Sequence, residues 1–371
     1  MKVFCIAGEA SGDLHGSNLV KALVKKEQDL QLKGWGGDLM EEAGVEISKH
    51  YRELAFMGFV EVLMNIRTIL SNIKKCKAEI ESFQPDALLL IDYPGFNLRI
   101  AEWAHEKGIK IIYYISPQIW AWKKNRVFKI KKCVDQMMVI LPFEQDFYAK
   151  YDVDVDFVGH PLLDALPAKP ISTFEAFCQK NKIDTKPIIA LLPGSRKQEI
   201  AKMLSKMLTQ QKHFPEYQFV IAGAPSQPDA YYQEITKGDV PVIHGSTYEI
   251  LQHAQAALVT SGTATLETAL LQVPEVVCYS SSVISYNIAK KLVDIKFISL
   301  VNLIMDREVV KELIQSELNE HKLKEELKSV LPNGKKHEKM STDYLELREK
   351  LGGPGASSRA ADVLLKTINR S

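Results

Sequence analysis

Asp92 closes the apolar run ALLLI and is followed at once by Pro94 and Gly95 in the stretch IDYPGFN. An aspartate there stands at the carboxyl end of a buried strand, where a general base that strips a proton from a hydroxyl is useful. A turn or helix cap is the plainer reading of the same residue. Asp13 is the rival base and His15 a weaker one, both in the opening segment GEASGDLHG from Gly8 to Gly16. That segment has the small residues of a phosphate-cradling loop, yet Glu9 and Asp13 would repel a phosphate. It is expected to face a second substrate instead. Glu9, Ser11, Gly12, Asp13 and Asn97 are the candidate acceptor-side residues.

Two later stretches are better suited to an anion. PGSRKQEI, Pro193 to Ile200, follows an apolar run and opens a helical pattern. Gly194 lets the backbone come close to an anion, the helix N-terminus supplies N–H groups, and Arg196 adds a forked charge. SGTATLE, Ser261 to Glu267, repeats the device after AALVT. A carboxylate at Glu267 can accept from both hydroxyls of a ribose. Either loop alone reads equally well as a capped βα turn, with Ser195 as the cap of the first. Both in one domain point to a nucleoside diphosphate held by Gly194, Ser195, Arg196, Ser261, Gly262, Thr263, Ala264, Thr265 and Glu267.

The elements that must position these residues are written as alternation. KVFCIAG, LKGWGG, ALLLIDYPG, KIIYYISP, MMVILP and VDFVGHP are strand candidates in the first half, and IIALLPGS, FVIAGAP, PVIHG, ALVTSGT and VVCYSS in the second. Continuous apolar strands between helical patterns predict parallel sheets covered on both faces. The class is therefore α/β, with two doubly wound Rossmann-like domains facing a cleft at the carboxyl ends of their strands. Pro161, Pro167 and Pro170 mark a boundary. The expected domains are 1–165, 166–345 and a helical tail over 346–371, packed back on the first domain or exchanged in a dimer. The tail has a break at LPNGKKH and a final helix from near Ala356.

Bulk numbers narrow the class. The 371 residues carry 46% hydrophobic and 25% charged side chains, as an ordinary globular protein does. A net charge of +1 argues against a protein built to neutralise a nucleic-acid backbone. Five cysteines without a CxxC pair indicate neither a zinc site nor a disulfide framework, and fit a reducing cytoplasm. Met1 and Lys2 lead straight into a strand, so no signal peptide is expected. No carboxylate cluster accompanies the anion loops, so neither metal nor cofactor is expected.

Two segments speak of lipid. On a helix, the apolar side chains of FMGFVEVLMNIRTILSNI, 56–73, cover roughly 240° against the ~100° that a core-facing stripe needs. Glu61, Asn65, Thr68 and Asn72 share the narrow polar side. Glu61, Arg67 and Gly58 argue against a membrane span, which leaves an interfacial helix or one buried between two elements. Phe56, Met57, Val60 and Met64 are the expected membrane or acyl contacts. WAWKKNRVFKIKK, 120–132, sets six basic residues beside two tryptophans, a composition suited to a membrane interface or an anionic headgroup.

Taken in order, GEASGDLHG, FMGFVEVL, IDYPGFN, YYISPQIWAWKKNRVFKIKK, LPFE, FVGHPLLD, LLPGSRKQEI, SGTATLETAL and FISLVNLIMDREVVKELIQ resemble the lipid-A-disaccharide synthase family. The resemblance runs to about residue 315, and more loosely through ELREKLGGPGASSRAA. It implies an inverting glycosyltransferase of GT-B architecture. The donor would be UDP-2,3-diacylglucosamine, the acceptor 2,3-diacylglucosamine 1-phosphate, and the product a β-1′,6-linked disaccharide 1-phosphate. It also implies peripheral placement on the cytoplasmic face of the inner membrane, independence of metal, and dimers with exchanged C-terminal segments. The family's strand-end aspartate matches Asp92, its loop arginine Arg196, and the asparagine of its SLxN segment Asn302; Tyr93 and Gly95 are local variations. Rival readings are another UDP-GlcNAc transferase acting on a different lipid, a UDP-sugar epimerase, or a non-catalytic nucleotide-sugar-binding membrane module.

Overall fold

A computed structural model describes residues 1–54, 66–282, 286 and 295–370. The chain divides into two compact units, Met1–Ala165 with Leu351–Ser371, and Leu166–Lys350.

In the first unit a parallel sheet runs in the order β3 (Glu46–His50), β2 (Gln31–Gly36), β1 (Lys2–Ala7), β4 (Ala87–Ile91), β5 (Lys110–Tyr114), β6 (Gln136–Val139), β7 (Asp156–Phe157). Every residue of β4, and of β1 from Val3 to Ala7, is buried. Helices cover both faces of such central strands, which is why their sequences are continuously apolar rather than alternating. The order reverses between β1 and β4, with Ala7 beside Ile91 in register. Gly8 and Asp92, the next residues of the two strands, therefore share one end of the sheet.

The second unit repeats the plan with β10 (Val242–His244), β9 (Gln218–Gly223), β8 (Ile188–Leu192), β11 (Ala254–Thr260), β12 (Glu275–Tyr279) and β13 (Lys311–Ile314). Its reversal lies between β8 and β11, where Leu192 pairs with Val259. Doubly wound sheets bind ligands at such reversals, because the two helices that follow leave in opposite directions and open a crevice.

β3 and β13, EISKH and KELI, were not among the strand candidates. Both are edge strands, and their charged residues are what keeps an edge from pairing with another chain, at the cost of the apolar signature.

The C-terminal segment is split between the units. Residues 346–350 belong to the helix His337–Lys350 of the second unit, and Leu351 onward to the first. The helix Ala356–Asn369 lies on the helix Ala10–Lys26 and on β5 and β6. Its start is capped from far away in sequence: Asp164 accepts from the Gly355 and Ser357 N–H groups at 2.6 and 2.7 Å.

Candidate active site

Asp92 lies just past β4 with φ of 45°, and Tyr93 follows with φ of 48°. Two successive non-glycine residues in the left-handed region are strained, at about 1–3 kcal/mol each. They persist because their carbonyls and rings are held from outside the turn. The Asp92 N–H donates to Tyr114 O at 3.0 Å, and its carbonyl accepts from Asn97 Nδ2 at 2.8 Å and from the Tyr113 hydroxyl. Pro94 then starts the helix Pro94–Glu106, its fixed φ suiting the first turn.

Burial, and then the neighbouring Glu9 carboxylate, push the Asp92 carboxyl up to about 6, against the lowering effect of the Tyr93 N–H. A base poised near neutrality is the type that accepts a hydroxyl proton efficiently. Glu9 is exposed at the start of the helix Ala10–Lys26. Gly8 beside it answers to packing, since a Cβ there would stand 2.3 Å from the Tyr93 ring.

The other acceptor-side expectations are corrected in part. Asp13 is buried and its carboxylate accepts from the N–H groups of Gly37, Leu39 and Met40 at 2.8, 3.1 and 3.0 Å. It caps the helix Asp38–Glu42, and with its oxygens so occupied it is neither a rival base nor a substrate contact. Asn97 is buried and its Nδ2 donates to the carbonyls of Ile6, Ile91 and Asp92, so it secures the turn. His15 is buried, held neutral by that burial with its titration lowered to about 4, which removes it as a base that titrates near neutrality. Gly12 is buried against Ala7, and Ser11 is exposed in the first helical turn.

Sequence reasoning passed over a buried polar cluster just past the ends of β5 and β6. Glu144 Oε2 accepts from the Ile140 and Leu141 N–H groups at 3.2 and 3.0 Å, and Ser116 Oγ lies 2.8 Å from the Tyr148 hydroxyl. Desolvation drives the Glu144 carboxyl up to about 8, outweighing those two N–H groups and its contacts with Trp120 and Ser116. The LPFE motif was the available signal, because a carboxylate inside an apolar strand-to-helix turn needs a partner.

In the second unit a cavity of about 350 Å³ opens at the sheet reversal. Gly194, Ser195, Ser261, Gly262, Thr263, Ala264 and Glu267 all line it. The two loops read as anion seats thus come together. Gly194 has φ of 102°, a conformation that favours glycine, and any Cβ would meet the Glu199 carboxylate at 2.2 Å. Glu199, overlooked in the sequence, turns back to accept from the Ser195 N–H at 3.3 Å. Glu267 accepts from the Tyr248 hydroxyl at 2.8 Å, and burial raises its carboxyl above the ordinary range while that bond opposes the shift. Thr260 lines the same cavity, buried, with its hydroxyl unpartnered among the described residues.

Three residues expected to hold the donor are not part of the cavity wall. Arg196 is exposed, immediately before the helix Lys197–Met207. Thr265 is buried, with its hydroxyl bonded to Gly262 O at 2.8 Å. Asn302 is saturated: Nδ2 donates to Val310 O and Glu312 Oε1 at 2.8 and 2.9 Å, and Oδ1 accepts from the Val309 and Val310 N–H groups at 2.7 and 3.0 Å. Thr265 thus holds the loop at Gly262, and Asn302 holds the segment from Val309 to Glu312.

Phe56, Met57, Val60 and Met64 lie outside the described residues. Among the described residues no helix is long and apolar enough to cross a membrane, and no group of three His, Cys, Asp or Glu side chains is placed to hold a metal ion. Trp122 and Phe128 of the basic aromatic stretch are 45% and 62% exposed.

Comparison with known proteins gives this geometry its context. Residues 3–367 match the family described as lipid-A-disaccharide synthetase. The lipid-A-disaccharide synthase of Syntrophus aciditrophicus is 41% identical over 379 residues, spanning 100% of this chain and 98% of that protein. Those of Geobacter metallireducens and Coxiella burnetii are each 39% identical, over 100% and 99% of this chain and 98% of each protein. Among solved structures, the UDP-GlcNAc 2-epimerase of Neisseria meningitidis bound to UDP-GlcNAc superposes with a TM-score of 0.64 at 14% identity, covering 100% of both chains. The glycotransferase of kitacinnamycin gives 0.67 at 14%, covering 99% of this chain and 98% of its own. At such identities the likeness speaks for the fold, and the epimerase reading gains nothing from it. Matched along nearly its whole length by the family and by full-length relatives, the chain belongs to the lipid-A-disaccharide synthetase family and is a glycosyltransferase of the GT-B fold.

Proposed function

We propose that the chain transfers 2,3-diacylglucosamine from UDP-2,3-diacylglucosamine to 2,3-diacylglucosamine 1-phosphate, with inversion, releasing UDP. The observation that carries this reading is Asp92, a strand-end carboxylate at the sheet reversal whose titration lies near neutrality. Ionised, it takes the proton of the acceptor 6-hydroxyl as that oxygen attacks the anomeric carbon. The carbon–oxygen bond to UDP breaks on the opposite face, and the electron pair leaves with the diphosphate. In the second unit the N–H groups around Gly262 and Thr263 face that developing charge, Arg196 reaches it from the rim, and Glu267 accepts from the ribose. Fixed donors of this kind act without reorganisation at the moment of reaction.

The same reading puts the protein peripherally on the cytoplasmic face of the inner membrane, where both lipid substrates reside, with Phe56, Met57, Val60 and Met64 as its contact. A homodimer with exchanged C-terminal segments belongs to the reading as well. The deciding experiment is mass spectrometry of the product formed from the two purified diacyl sugars. A disaccharide 1-phosphate that appears with wild type and is lost in Asp92→Ala is the expected result. Formation of a 2-epimerised UDP-sugar instead would sink the proposal.

A further inference from the structure

The stretch 120–132 is not a uniform basic patch. Trp120 turns inward and meets Phe143 edge-on, ring centroids 4.9 Å apart. Trp122 turns outward. Lys129 and Lys131 are paired, with Glu102 at 2.8 Å and Asp152 at 3.7 Å. Lys123 and Arg126 are not: among the described residues neither meets a carboxylate. Both stand on Trp122 instead, Lys123 Nζ at 4.4 Å and Arg126 Cζ at 5.8 Å from the ring centroid. The turn that sets them there is held by the Arg126 N–H on Lys123 O at 3.0 Å, with Lys123 in the left-handed region at φ of 55°.

Two cations beside one indole ring attract the ring but repel each other, and the ring's quadrupole does not cancel their charge. An anion lying between them would. The position matters as well. This loop follows β5, the sheet neighbour of β4, and so opens at the same end as Asp92. Tyr113 of β5 links them: its hydroxyl bonds the Asp92 carbonyl, and the Arg126 charge acts on the same phenol.

We propose that Trp122, Lys123 and Arg126 form a seat for the phosphate of an amphiphile, with the phosphate between the two cations and the carrier's ring or chain on the indole. Resting on the function proposed above, the phosphate fits the 1-phosphate of the acceptor sugar, whose hydroxyl must reach Asp92. A bilayer phospholipid headgroup offers the same chemistry. Arg126 carries the fork that matches phosphate oxygens.

The test uses the full chain and the double variant Lys123→Ala/Arg126→Ala, with a thermal melt to confirm folding and Arg126→Lys as the charge-conserving control. One arm compares 2,3-diacylglucosamine 1-phosphate with the same sugar lacking phosphate, in one nonionic detergent. Loss of charge-assisted contacts should raise KM for the phosphorylated acceptor at least about tenfold, leaving donor KM and the phosphate-free acceptor unchanged. Arg126→Lys should recover part of the loss. The other arm is sedimentation with phosphatidylcholine vesicles, with and without phosphatidylglycerol. Lost affinity for the anionic vesicles alone, with acceptor kinetics intact, keeps the seat and assigns it to the headgroup. Equal behaviour of variant and wild type in both arms overturns the seat, as does an equal loss on both acceptors. Should wild type turn over neither acceptor, it is the assigned reaction that fails, and the vesicle arm still judges the seat.

Discussion

Asn97 donates one carboxamide nitrogen to the main-chain carbonyls of Ile6, Ile91 and Asp92, at 3.4, 3.3 and 2.8 Å. A single buried side chain thereby ties the ends of β1 and β4 to the turn that carries the proposed base. Asn97→Asp exchanges that donor for an acceptor facing three carbonyls. Misplacing a positioned base forfeits much of the ~10²–10⁴-fold such a group contributes. The expected outcome is a fall in kcat of that order with UDP affinity retained. Calorimetric titration of UDP beside steady-state kinetics checks it, and a parallel loss of UDP binding would mean general unfolding instead.

The pH profile should report Asp92. With its carboxyl raised to about 6, kcat/KM should climb with pH through that value, as the base must be ionised to act. The Glu9 carboxylate contributes to the shift by repulsion, so Glu9→Gln favours ionisation of Asp92. The acidic limb should then move to lower pH. A profile unmoved in Glu9→Gln would detach Glu9 from the base.

Nucleotide affinity should depend on Glu267 more than on Arg196. Glu267 lines the cavity with one oxygen held by Tyr248, whereas Arg196 is not part of its wall. Loss of a charge-assisted hydrogen bond costs roughly 1.5–3 kcal/mol, so Glu267→Ala should weaken UDP at least about tenfold. Arg196→Ala should act more on kcat, through charge on the leaving diphosphate. Unchanged UDP affinity in both variants would remove the nucleotide from this cavity. Chelator should leave the wild-type rate intact, and inhibition reversed by magnesium would refute a metal-independent reaction.

Glu144 links stability to alkali. Its carboxyl titrates at about 8 when folded against an ordinary 4.5, so the folded protein keeps a proton that the unfolded chain has released. Stability is therefore complete below about 4.5 and is lost as pH rises towards 8. Glu144→Gln keeps an acceptor for the Ile140 and Leu141 N–H groups but does not titrate. Its melting temperature should be flatter across that window and overtake wild type near its alkaline end. Parallel melting curves for the two proteins would refute the assignment.

What the sequence determined by itself is local. Apolar runs between helical patterns, broken by Gly and Pro, specify the central strands, and the residue after each strand is set by chain order alone. Asp92, Gly194 and Ser261 were legible for that reason, since a parallel sheet delivers such residues to one end whatever their neighbours. Their partners were not legible. Asp13 is consumed by N–H groups beginning 24 residues away, and Asn97 by a carbonyl 91 residues away. Asn302 and Thr265 likewise face inward, and the edge strands β3 and β13 carry charge where a central strand would carry Val or Ile. Whether a polar side chain meets a ligand or is spent on the backbone depends on which groups burial leaves unsatisfied. Only the tertiary structure decides that, because such groups come from segments that meet in space and are distant along the chain.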